Sequence, residues 1–113
     1  MRLRDLDAKF LCLEAPDRWR CEDVSIGQAH GVMFLCPKCF AANGGPRGTH
    51  SVICWSRSRG VPDAQSPGPG RWRMDGTGID DLTLNADPPS NARSVQLEGG
   101  CMWHGHVTNV DAT

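Results

Sequence analysis

The residues best suited to chemistry are sulfurs and imidazoles at paired spacing. Cys36-Pro37-Lys38-Cys39 sets two thiols three positions apart. Two intervening residues let a tight turn aim both sulfurs at one ion. Cys101-Met102-Trp103-His104 repeats the spacing with an imidazole in the last place. Three thiolates and one imidazole form a closed tetrahedral set, the donor chemistry of structural Zn2+. The mixed sulfur–nitrogen set favours zinc over iron, although a Cys-rich site also accepts iron. The ligands read from spacing are therefore Cys36, Cys39, Cys101 and His104. A long stretch separates the two pairs, so the metal clips the middle of the chain to its end. Closing a long loop is where such a clip contributes most, and structural zinc supplies about 10–16 kcal/mol of apparent folding free energy in small metal-dependent modules.

Two further histidines stand near in sequence or by expectation. His106 follows His104 by two positions and shares its face on a strand. His50 lies elsewhere in the chain and can approach the same site. His106 reads as a further ligand or as a group that hydrogen-bonds the ligands from behind, His50 as one that approaches them from behind, and both also as ordinary, partly exposed histidines. No catalytic residue is assigned. Four good ligands leave no position for a reactive water, and the carboxylates of Asp80-Asp81 follow Gly76-Thr77-Gly78 in what reads as a solvated turn. Two other readings of the first pair stand beside the metal. A C-x-x-C can be a redox motif, but no βαβ pattern surrounds this one. Cys36 and Cys39 can also be buried thiols, with His104 at the surface. Cys12, Cys21 and Cys54 read as small packed hydrophobes, with Cys21 nearer the surface because charges flank it.

The elements that must position these groups are short. The chain has 113 residues, which predicts a single domain over residues 1–113. Thirteen Gly and eight Pro favour turns over a helical bundle. Only 21 residues are Leu, Ile, Val or Phe, so the core is thin and a metal clip is a plausible supplement. The net charge of −1, with ten Arg and two Lys, lacks the basic footprint of a nucleic-acid binder. The longest apolar run, Val32-Met33-Phe34-Leu35, is far short of the roughly 20 residues that a membrane helix needs. The N-terminal Met1-Arg2-Leu3-Arg4 has no apolar signal region, so a cytoplasm with reduced thiols is expected.

Strand signals fall at residues 8–14, 31–35, 49–56, 71–73, 82–84 and 94–97, with a β-like tail at 105–110. In residues 49–56, Ser51, Ile53 and Trp55 face one way and His50, Val52 and Cys54 the other. Both faces are largely apolar, which predicts a central strand. A polar loop carries Trp19, and residues 41–48 read as a turn region. Residues 60–70, the Asp87-Pro88-Pro89-Ser90 break and Gly99-Gly100 also read as loops or turns. No window has helical periodicity. The expected architecture is mostly β: a small single-domain β-sandwich or partly open barrel with a zinc-ribbon-like clip and little helix.

Several segments carry a resemblance. Val32-Met33-Phe34-Leu35-Cys36-Pro37-Lys38-Cys39-Phe40, Thr49-His50-Ser51-Val52, Pro67-Gly68-Pro69-Gly70-Arg71-Trp72 and Cys101-Met102-Trp103-His104-Gly105 occur in this order. Together they resemble a family of short proteins of tailed bacteriophages and prophages, often labelled "ammonia monooxygenase". The enzyme of that label is membrane-embedded and copper-dependent, and this chain has no spanning segment. The chain departs from the family pattern at His106, where the family has an aromatic residue, and at Val110, where it has a glycine.

The resemblance implies a phage protein. The closed ligand set and small size imply one that acts through contacts. Its expected role is a minor virion or assembly component, with phage virion proteins as partners. The alternative is an inhibitor of a host defence protein, and self-association is open in either case. It would reside in the host cytoplasm or the virion. A second class of function is single-strand nucleic-acid binding, in which Arg57, Arg59, Arg71 and Arg73 act beside Trp55 and Trp72. The opposing reading makes the arginines a solvated face and the tryptophans core. A third is a small zinc hydrolase using His104 or His106.

Overall fold

The computed structural model describes residues 1–67, 70–87, 94–97 and 101–113. The loop expectation at residues 68–69, most of the break at 87–90 and the Gly99-Gly100 turn lie outside them. Among the described residues the fold is mostly β with one short α-helix. Four strands, β1 (Lys9–Ala15), β2 (Arg18–Arg20), β3 (Gly31–Leu35) and β4 (Ser51–Trp55), form one antiparallel sheet in the order β2-β1-β3-β4. Three two-stranded ribbons follow. They pair β5 (Trp72–Asp75) with β6 (Thr83–Ala86), β7 (Val95–Gln96) with β8 (His104–Gly105), and β9 (Val107–Thr108) with β10 (Asp111–Ala112). Among the described residues these sheets do not close into a barrel.

Strand alternation divides the main sheet into two faces. Phe10 pairs with Val32, Val32 with Cys54, and Phe34 with Val52. This face packs on Leu3, Leu6, Trp72, Leu82, Leu84, Trp103 and Val107 to form the main core. The other face sets Leu11 against Gly31 and Gly31 against Trp55, and it makes a smaller cluster with Val61. Gly31 is required there: a Cβ would lie 2.6 Å from the Trp55 ring and 2.7 Å from the Cys54 carbonyl.

The two-sided burial of β4 has a different cause from the one expected. β4 is an edge strand, not a central one. Its second face is covered by the following segment, where the Trp55 indole Nε1 donates to the Ser66 carbonyl at 2.9 Å. Gln65, almost fully buried, pins that segment to the β1–β2 turn. It accepts from the Asp17 amide at 3.0 Å and donates to the Asp17 carboxylate at 3.1 Å.

Two elements escape the periodicity reading. β2 replaces the expected polar loop, although all three of its residues are exposed. The helix α1 (Pro37–Asn43) stands where a turn region is expected to begin, and it has only seven residues. Pro37 at its start fits the first helical position. Gly44, at φ 68°, ends it in the left-handed conformation that glycine adopts without strain.

Candidate metal centre

The centre is built around the connection between β3 and β4. The chain leaves β3 at Leu35, turns through Cys36 into α1, and returns to β4 at Ser51, where Leu35 and Ser51 are paired. This register continues one step further, since the Cys36 amide donates to the His50 carbonyl at 2.9 Å. Cys36 and His50 are thus neighbours across the ladder, although fourteen positions apart in sequence. The helix brings Cys39 to the same place. Cys36 flanks its N-terminus, the Phe40 amide donates to the Cys36 carbonyl at 2.9 Å, and Cys39 lies in the first turn. Thr49 secures the return, donating from Oγ1 to the Gly45 carbonyl at 2.8 Å and accepting from Asn43 Nδ2 at 3.3 Å.

Cys101 arrives from the far end of the chain. Its neighbour Trp103 is buried and meets Phe34 edge-on, with ring centroids 6.0 Å apart. The Leu97 amide donates to the Trp103 carbonyl at 2.8 Å, and Lys38 Nζ donates to the Cys101 carbonyl at 2.7 Å. The sulfurs of Cys36, Cys39 and Cys101 and a ring nitrogen of His50 consequently lie within 4.8 Å of one another. The Sγ atoms of Cys36 and Cys101 are 3.5 Å apart, and His50 Nε2 is 3.3 Å from Cys101 Sγ. Ligands bound tetrahedrally to one ion at zinc–sulfur and zinc–nitrogen lengths stand roughly 3.5–3.8 Å apart. The donor set and its spacing fit a metal ion.

The imidazole is oriented for ligation. His50 Nδ1 lies 3.3 Å from the Ser51 carbonyl, and Nε2 faces the sulfurs. The cluster also divides its charge unevenly. The hydrogen bond from His50 draws the Cys101 thiol down to about 6, so that it is a thiolate at neutral pH. Contact with Cys101, burial and the neighbouring Cys36 push Cys39 up to about 11, so that it keeps its proton.

His104, the ligand expected at the end of the second pair, is placed elsewhere. Trp103, Gly105 and Val107 are buried, and strand alternation turns His104 and His106 to solvent. Their rings stand 6.4 Å apart, outside the four-residue group. His50, expected at most behind the ligands, supplies the nitrogen instead. Of the other cysteines, Cys54 is fully buried and its thiol is pushed well up by burial, while Cys12 and Cys21 are half-buried.

The expected nucleic-acid contacts are engaged within the fold. Arg71 is almost fully buried. Its guanidinium donates to the carbonyls of Pro62, Asp63, Gln65, Pro67 and Gly70. Arg57 pairs with Asp63 at 2.9 Å and Arg73 with Asp75 at 3.2 Å. Arg59 donates to the Ile26 and Ala29 carbonyls. Trp72 is buried and donates to the Ser94 carbonyl, and Trp55 is wholly buried. The exposed tryptophan is Trp19, on β2. Asp80 is exposed, as expected of a turn. Asp81 is used locally: its carboxylate accepts from the Thr77 and Gly78 amides, which hold it below the usual carboxylate range.

Comparison with protein-family models, with curated proteins and with solved structures gives no match for this chain.

Proposed function

We propose that the chain is a zinc-stabilised β module that acts through protein–protein contacts, as a minor virion or assembly component of a tailed phage. The observation that carries the metal part is the convergence of Cys36, Cys39, His50 and Cys101, which come from three separate stretches of chain. Three thiolates and an imidazole match zinc before other common metals. Four protein donors complete a tetrahedral set, which favours a structural role over a hydrolytic one. The phage assignment is supported by the segments around Cys36, His50, Arg71 and Cys101 that resemble short phage proteins. A role through contacts is supported by the edge strand β2, whose Arg18, Trp19 and Arg20 are all exposed and leave one side of the sheet open to a partner.

Two measurements test the reading. Elemental mass spectrometry of the native protein should find one zinc per chain. Removal by a chelator should lower the unfolding temperature sharply, and zinc should restore it. A metal-free protein of unchanged stability would end the metal part. Immunodetection in purified particles should then find the chain in the virion. Its presence in infected cells but absence from particles would replace the virion role with a host-directed one.

A further inference from the structure

We infer that the metal centre is also a peroxide-responsive switch, in which Cys36 and Cys101 join as a disulfide and release the ion. This inference rests on the metal reading and adds a regulation to it. The Sγ atoms of Cys36 and Cys101 are already in contact at 3.5 Å. Closing to a disulfide of about 2.05 Å requires a shift on the order of 1.5 Å. The two sulfurs differ in access. Cys36 is fully buried, whereas Cys101 is half-exposed and sits beside the exposed Met102. An oxidant from solvent therefore reaches Cys101 first and finds Cys36 directly behind it.

The chemistry balances with a hydroperoxide as oxidant. The Cys101 sulfur attacks the peroxide, the O–O bond breaks, and an alcohol or water leaves with a proton. Cys101 is then a sulfenic acid, oxidised by two electrons. The Cys36 sulfur attacks it, the S–S bond forms, the S–O bond breaks, and hydroxide leaves as water with a second proton. Only Cys39 and His50 then remain as donors, too few to hold the ion. The new bond spans residues 65 positions apart, the same segments that the metal joins. A dithiol reductant and zinc reverse the change.

The test uses the zinc-loaded full chain, titrated with hydrogen peroxide in the presence of a chromogenic zinc chelator. The expected result is release of one zinc per disulfide formed, with peptide mapping that links Cys36 to Cys101. Dithiothreitol and zinc should restore the starting mass and metal content. The Cys39→Ser variant should form the same link, since it retains both sulfurs. The oxidised, metal-free chain should unfold at a higher temperature than the reduced, metal-free chain. Zinc retained while Met102 gains an oxygen would overturn the switch and leave the metal reading intact. So would zinc release with a Cys36–Cys39 link. A chain that takes up no zinc would overturn both.

Discussion

His50 Nε2 lies 3.3 Å from the Sγ of Cys101, a residue 51 positions further along the chain. The contact makes His50 the nitrogen donor of the cluster, and it yields the sharpest test of the site. His50→Ala should lower zinc affinity by more than the roughly 10–100-fold that follows loss of a residue supporting the ligands. His104→Ala should leave zinc content and affinity unchanged. Competition with a chelator of known affinity measures both. The reverse pattern would return the fourth position to His104.

Zinc binding should release protons and weaken in acid. At neutral pH Cys39, raised to about 11, holds a proton that the ion must displace. Cys101, lowered to about 6, is already a thiolate there. As pH falls through about 6, Cys101 also takes up a proton, and affinity should drop by about a further factor of ten per pH unit for that group. Calorimetric titration in buffers of different ionisation enthalpy counts the protons. Zinc binding at neutral pH without proton release would contradict this charge distribution.

Arg71 should be a stability residue. Its guanidinium satisfies five carbonyls in the segment from Pro62 to Gly70. Arg71→Met removes this donor from all five, of which Pro62 keeps the Gln65 amide at 3.1 Å, and should cost about 3 kcal/mol. Arg71→Lys should recover only part, because an ammonium offers three donors in place of a planar fork. Chemical denaturation measures both. A neutral Arg71→Met would show that water replaces the guanidinium.

Val110 combines opposing terms. It is buried, yet its φ is 73°, in the left-handed region that a β-branched residue rarely adopts. Val110→Ala should lose roughly 1–3 kcal/mol of packing and keep the strain. Val110→Gly loses the same packing and relieves about 1–2 kcal/mol of backbone strain. The glycine variant should therefore be at least as stable as the alanine variant, the reverse of the usual order inside a strand. Thermal unfolding of the pair decides it.

The sequence revealed these features unevenly, for physical reasons. Alternation at Val32, Phe34, Val52 and Cys54 is the direct trace of a buried sheet face, so β3 and β4 were readable. The edge position of β4 was not, because a covering loop buries a strand as well as another strand does. Cys36 and Cys39 were readable because C-x-x-C spacing is a local property of a turn, and Cys101 was reached through the C-x-x-H pair that it begins. His50 was hidden because its closeness to Cys36 comes from cross-strand register, which linear spacing does not encode. His104 had suitable spacing, but the inward Trp103 turns it outward. The helix α1 is too short for a period, although Pro37 and Gly44 mark its two ends.

The donors are split three to one along the chain. Cys36, Cys39 and His50 lie within residues 36–50, on one connection of the main sheet, while Cys101 comes alone from the final segment. During synthesis the first three leave the ribosome well before the fourth. An ion held by all four donors would therefore join a connection that is synthesised early to the segment that is synthesised last.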